Sequence, residues 1–111
     1  MKISASVSDD GVALVEVRGR VDAVTSPEVG KVLFGLLDQR HHRVVLDFSG
    51  VDYISSAGLR VLVQAHQAAH KLKGDVRLFG LSELVCQVFA LAGLDAVLKI
   101  VNTREEAMKN W

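Results

Sequence analysis

The spacing of apolar side chains follows two different periods along the chain. Near the N-terminus, KISASVS and VALVEVRG flank the turn sequence DDG, which predicts two antiparallel strands joined as a hairpin. In SPEVGKVLFGLLDQ the apolar residues recur every three or four positions, which is the period of an α-helix. Ser26 is the expected N-cap of this helix, and Pro27 suits its first position.

The rest of the chain alternates short β-branched runs with helical segments. RVVLDFS is short and apolar, as expected of a strand that is buried on both faces. The later pattern predicts helices in SAGLRVLVQAHQAAHKLKG, SELVCQVFALAGL and TREEAMKNW, and strands in DVRLFGL and AVLKIV. Ser82 and Thr103 are the expected caps of the last two helices, and Glu106 completes a capping box with Thr103. This order predicts one α/β domain over residues 1–111, with a mixed, mostly parallel sheet of four to five strands, about four flanking helices and an N-terminal β-hairpin.

Composition excludes several classes of protein. The chain has 13 basic and 13 acidic side chains, so it lacks the basic excess expected of a nucleic-acid-binding domain. Its single cysteine, Cys86, permits no internal disulfide and favours a reducing, cytoplasmic location. No apolar run is long enough to span a membrane. We therefore expect a cytoplasmic protein with no nucleic-acid or membrane partner. We also expect no small-molecule substrate and no cofactor.

The most informative stretch is DFSGVDYISSAGLRV, where Ser55 and Ser56 precede the start of a predicted helix. Binding sites in open α/β sheets lie beyond the carboxyl ends of the strands, so this stretch and RGRVD are expected at one edge. One serine is explained as a helix cap. Gly58, however, costs about 1 kcal/mol relative to alanine and indicates close approach by another group. A helix start can also bind a phosphate or carry one on serine, and the residues alone leave both interpretations open.

The segment VVLDFSGVDYISSAGLRVLV resembles the signature of anti-sigma factor antagonists, which are bacterial members of the STAS domain family. GRVD, at Gly19–Asp22, resembles the motif after their second strand, and the resemblance covers essentially the whole chain. It implies a STAS-type domain that is a partner-switching regulator and not an enzyme. The implied partners are an anti-sigma factor that is also a serine kinase of the histidine-kinase-like ATPase type, and a PP2C-type serine phosphatase. The unphosphorylated form would bind the kinase and release its target, and phosphorylation of a serine would abolish that binding.

Along the motif, the phosphoacceptor falls on Ser56, with Ser55 as a competing candidate. The best-known members carry an aspartate at the position of Ser55 and a second hydroxyl residue at that of Ala57. On a helical projection at about 100° per residue, one side of the helix is expected to meet the sheet and the opposite side to be solvated. The sheet side contains Gly58, Leu62, Ala65, Ala69 and Leu72, and the outer side contains Arg60, Gln64, Gln67 and Lys71. Leu59 and Val63 lie on an intermediate stripe that continues from Ser56. The residues expected to bind the partner are Asp22, Ser55, Ser56, Ala57, Gly58, Leu59, Arg60 and Val63.

The acidic residues suggest two other functions. Asp47, at the predicted end of a strand, suggests a two-component receiver phosphorylated on aspartate, but the chain lacks the adjacent acidic pair that a receiver needs. Asp22, Asp47 and Asp52 together could hold Mg²⁺, although solvated loop carboxylates explain them better.

The histidines and the cysteine also have simple explanations. His66 and His70 have the i, i+4 spacing of zinc ligands, but the sequence shows no third ligand, which favours a pair on the helix surface. Cys86 lies among apolar residues and is expected to be a small buried side chain.

Overall fold

The predicted order of strands and helices is confirmed by a computed structural model that describes residues 1–111. The connection before the last strand also contains a short 3₁₀ turn. The elements are β1 (Lys2–Val7), β2 (Ala13–Val21), α1 (Ser26–Asp38), β3 (Arg43–Ile54), α2 (Ser56–Lys71), β4 (Asp75–Phe79), α3 (Glu83–Leu91), the 3₁₀ turn (Leu94–Ala96), β5 (Lys99–Val101) and α4 (Arg104–Met108).

The five strands form one sheet in the order β1-β2-β3-β4-β5. β1 and β2 make the predicted antiparallel hairpin, and every other pair of neighbours is parallel. The mixed, mostly parallel α/β sheet is therefore confirmed. None of the helices is long and apolar enough to cross a lipid bilayer.

The two faces of the sheet carry cores of unequal size. The larger core has 21 buried residues and includes side chains of α1, α2 and α3. The smaller has five and includes Ala107 of α4. Val44, Val45 and Leu46 of β3 are all fully buried, with Val45 in the smaller core and its two neighbours in the larger. The central strand is thus buried on both faces, as its β-branched sequence predicts.

A buried cation fixes the C-terminal segment on the smaller core. Arg77 of β4 is only 4% exposed, and its guanidinium lies 3.7 Å from the centre of the Trp111 ring. The same group donates hydrogen bonds to three backbone carbonyls, those of Ala107 (3.1 Å), Lys109 and Asn110 (2.7 Å). The segment after β5 is therefore held by directional bonds as well as by apolar packing.

Two local predictions were wrong. Ser26 is not an N-cap: it is the first residue of α1, it is buried, and Thr25 occupies the cap position. Cys86 is exposed, because Val85 and Phe89 turn the apolar stripe of α3 towards the core and leave their neighbour outside. By contrast, Ser82 caps α3 as expected, accepting a hydrogen bond from the Val85 amide at 3.2 Å.

Candidate functional site

The stretch before the two serines is a strand and not a loop. β3 continues to Ile54, beside Val21 of β2, and a single residue then separates it from α2. The register between β2 and β3 shifts twice, so β3 contains two extra residues. As a result the buried residues in this half of β3 are three positions apart: Phe48, Val51 and Ile54. A regular strand would bury every second residue, so the alternating pattern that identifies strands is absent here.

The two adjacent serines have different roles. Ser55 has an extended backbone and is the N-cap of α2, where its Oγ accepts a hydrogen bond from the Gly58 amide at 3.4 Å. Its own amide donates to the carbonyl of Val21 at 2.8 Å. Ser56 is the first residue of α2; its side chain is exposed and its hydroxyl has no hydrogen-bond partner in the protein. Ser55 therefore has the capping role, which leaves Ser56 as the accessible hydroxyl.

Gly58 is explained by close packing. A Cβ atom at this position would lie 2.8 Å from Cγ1 of Ile54 and 2.8 Å from Cγ1 of Val21. Both neighbours are β-branched and buried, so they have little freedom to move aside. Because glycine has no side chain, the first turn of α2 packs directly against the ends of β2 and β3. This contact fixes the position of Ser56 relative to the sheet.

Asp22 shapes the connection between β2 and α1. Its Oδ1 accepts hydrogen bonds from the amides of Val24 and Thr25, each at 3.0 Å, and from the Thr25 hydroxyl at 3.2 Å. Its carbonyl accepts the amide of Ser26 at 2.8 Å, so Asp22 begins the turn that leads into α1. These bonds, above all the one from the Thr25 amide, hold the pKa of Asp22 below its ordinary value. Its contribution to stability is therefore present at neutral pH and is lost as the pH falls through the lowered pKa.

Three further residues at the ends of β2 and β3 and in the β2–α1 connection were not predicted as site residues. The guanidinium of Arg20 lies 4.2 Å from the centre of the Tyr53 ring, and its Nε is 3.9 Å from Oδ2 of Asp22. Tyr53 is 36% exposed, and Val24 in the β2–α1 connection is 86% exposed. Arg20 and Tyr53 occur within the motifs already noted, whereas Val24 gave no signal because a single valine in a connection is unremarkable.

The faces of α2 agree with the helical projection. The predicted sheet side is buried at Gly58, Leu62, Ala65 and Ala69 and half-buried at Leu72, and the predicted outer side is exposed at Arg60, Gln64, Gln67 and Lys71. The intermediate stripe is divided. Leu59 is 9% exposed and belongs to the larger core, whereas Val63 is half-buried and packs against neither core. Ala57 is also half-buried.

The structure gives no support to the two acidic alternatives. Asp47 lies in the middle of β3, and its Oδ1 accepts hydrogen bonds from the amide and the hydroxyl of Ser49, at 2.9 and 2.6 Å. Asp22, Asp47 and Asp52 do not approach one another closely enough to share a metal ion. The edge of the sheet at Ser56 is therefore a surface of one free hydroxyl, mixed charges and exposed apolar side chains.

Fold and site together define a small α/β domain whose distinctive surface surrounds a serine at the start of a helix. The chain belongs to the STAS domain family, whose model matches residues 5–107. It is 33% identical to BtrV of Bordetella bronchiseptica, a candidate anti-sigma factor antagonist, over 88% of this chain and 84% of the relative. It is 29% identical to the anti-sigma-B factor antagonist of Listeria monocytogenes, over 99% and 98%. A candidate anti-sigma factor antagonist from Thermotoga maritima has a similar crystal structure, with a TM-score of 0.89, 25% identity and coverage of 96% and 91%.

Proposed function

We propose that this chain is an anti-sigma factor antagonist that switches partners according to the phosphorylation of Ser56. The observation that carries the proposal is the difference between the two serines: the hydroxyl of Ser55 accepts the Gly58 amide, whereas that of Ser56 is exposed and has no partner. Family membership and the names of the relatives support the same function.

A phosphate on Ser56 is compatible with the fold. It adds a charge of about −1.5 to −2 at the start of α2, where the helix dipole favours negative charge. Arg60 lies one turn further along the helix and is exposed, so it can pair with the phosphate at the i, i+4 spacing. Modification should therefore leave the folded structure intact and change only the surface.

The apolar residues around Ser56 explain why its phosphate would oppose binding. Val24, Tyr53 and Val63 are exposed or half-buried at this end of the molecule and along α2. A partner that covers them also removes water from Ser56. A bare hydroxyl tolerates this, whereas a phosphate that meets no cation on the partner incurs a large desolvation cost, even with Arg60 beside it. Asp22, Ala57 and Arg60 would contribute to the same surface, and the buried Gly58 and Leu59 would support it from beneath.

The proposed partners follow from the same assignment. The unphosphorylated chain would bind an anti-sigma factor that is also a serine kinase of the histidine-kinase-like ATPase type, which releases the target of that factor. A PP2C-type phosphatase would restore the bare serine. The chain is a substrate in this cycle and acts in the cytoplasm without catalysing a reaction of its own.

Phosphate mapping tests the assignment of Ser56. Protein isolated from its native cells should show one phosphoryl group by intact mass, removable by a serine phosphatase, and fragmentation should place it on Ser56. A Ser56→Ala chain expressed in the same cells should lack it, while Ser55→Ala should keep it. Phosphate found only on Ser55 would overturn the assignment, and a base-labile acyl phosphate on Asp47 would favour the receiver interpretation.

A charge at Val63 should disrupt the partner surface. Val63→Glu is expected to weaken binding to the purified anti-sigma factor by at least about tenfold, because the partner would have to desolvate an unpaired carboxylate. The melting temperature should change little, since Val63 packs against neither core. Gln87→Glu, on the exposed side of α3, makes a comparable charge change elsewhere and should bind normally. If Val63→Glu binds as tightly as this control, Val63 lies outside the interface.

A further inference from the structure

Three side chains that commonly ligate metals converge far from Ser56, near the C-terminal end of α2. His66 and His70 lie one turn apart on α2, and Asp75 is the first residue of β4. Oδ1 of Asp75 is 3.7 Å from Nδ1 of His66 and 3.4 Å from Nε2 of His70. One potential ligand atom from each of the three lies within 4.8 Å of the others, and no other group of histidine, cysteine, aspartate and glutamate side chains in the protein is so close.

The backbone around this cluster holds the three residues in place. α2 ends in a tight turn in which the Gly74 amide donates to the Ala69 carbonyl at 2.8 Å. The Asp75 amide then donates to the His42 carbonyl at 2.9 Å. A Cβ atom at Gly74 would lie only 1.9 Å from the oxygen of His42, so the close approach requires glycine. These backbone contacts therefore hold the Asp75 carboxylate in a fixed position beneath the last turns of α2.

The cluster also contains a buried nitrogen without a partner. His66 has a side chain that is only 14% exposed, and its buried Nδ1 has no hydrogen-bond partner. A metal ion bound between the three side chains would satisfy this nitrogen. Oδ1 of Asp75 is the carboxylate oxygen that faces the two histidines. Its other oxygen, Oδ2, lies 3.8 Å from Nε of Arg77.

We propose that His66, His70 and Asp75 form a binding site for a divalent transition-metal ion of the zinc class. Two imidazoles and one carboxylate supply three of the four ligands of a tetrahedral zinc site, and a water molecule or an external ligand takes the fourth position. Zinc–ligand bonds of about 2.0–2.1 Å require ligand atoms about 3.3 Å apart. The two separations from Asp75 are already close to this value, and rotation of the more exposed His70 side chain brings the two imidazoles together.

Zinc bound here joins α2 to β4 across the turn that separates them. His66 is ten residues from Ser56, about 15 Å along the helix. The site is thus distinct from the partner surface. Zinc stabilises the fold because it binds the folded chain in preference to the unfolded one. It needs no phosphorylation event, so its presence or absence is independent of the role proposed for Ser56.

Calorimetric titration with zinc chloride tests the proposal on protein first stripped with a chelator. The unmodified chain should bind one zinc ion, and saturating zinc should raise its melting temperature. His70→Gln and Asp75→Asn should each weaken binding by at least about tenfold and remove the thermal shift. The His70 side chain is 57% exposed, so its replacement should leave the fold intact by circular dichroism.

His41→Gln provides the matched control, because His41 lies outside the cluster. This variant should bind zinc as the unmodified chain does. No binding by the unmodified chain, or equal affinity in the His70→Gln chain, would overturn the proposal and assign any remaining zinc to adventitious surface binding. Phosphate mapping at Ser56 is unaffected by either result.

Discussion

A chain carrying Ser56→Asp is expected to bind its anti-sigma factor about a hundredfold more weakly than the unmodified chain. The substitution replaces the exposed, unpartnered hydroxyl of Ser56 in ISSAG with a permanently charged carboxylate. An interfacial charge that the binding partner does not compensate costs several kcal/mol, and a hundredfold change corresponds to about 3 kcal/mol. Ser56→Ala should bind at least as well as the bare serine and should no longer respond to the proposed kinase.

The matched control for this experiment is Ser55→Ala. Loss of the cap should lower the stability of the chain by about 1 kcal/mol, while affinity for the partner stays within a few-fold of the parent. Affinity is measured by calorimetry with the purified anti-sigma factor, and the melting temperature is recorded for each variant. If Ser56→Asp is folded and binds like the unmodified chain, charge at Ser56 does not control the interaction.

The second large effect concerns stability. Arg77→Ala is expected to lower the free energy of unfolding by about 3 kcal/mol, because it removes hydrogen bonds from a charged donor and the contact with the Trp111 ring. Single domains are stabilised by only about 5–15 kcal/mol in total. The change should therefore produce a large shift in the midpoint of urea unfolding.

Arg104→Ala is the appropriate comparison for Arg77, since Arg104 is an exposed arginine at the start of α4. Its replacement should change the midpoint very little. The unfolding midpoint of Arg77→Lys should fall between those of Arg77→Ala and Arg104→Ala, because a lysine keeps the charge but cannot present several donors in one plane. An Arg77→Ala chain as stable as the Arg104→Ala chain would show that the buried contacts contribute nothing to stability.

The order of the elements could be predicted because each helix has a periodic apolar face and clear end signals. Thr103 illustrates this: it caps α4 by accepting the Glu106 amide at 3.2 Å, as the TREE sequence predicts. The second half of β3 could not be predicted, because its two bulges replace the alternating pattern by burial at every third residue. Periodicity identifies regular strands and misses those that depend on irregular pairing with a neighbour.

Some features of the candidate sites could be predicted from the local sequence, and others could not. The local sequence was sufficient to place Ser55 and Ser56 at the start of a helix, and it predicted which face of α2 meets the sheet. It could not show that Asp22 accepts three hydrogen bonds at the head of α1, since several aspartates in connections look alike. Nor could it bring Asp75 to the two histidines or Trp111 to Arg77, because these contacts depend on how distant segments meet.

The one-residue connection between β3 and α2 leaves Ser56 without a hinge. The amide of Ser55 is bonded to β2, its hydroxyl is bonded to α2, and Gly58 rests on two buried side chains. A modification at Ser56 therefore has no flexible segment to reorganise, and the two forms of the chain should share one backbone conformation. The signal would then be carried by electrostatic potential alone, with no slow refolding step, so that the lifetime of each state is set only by the enzymes that add and remove the charge.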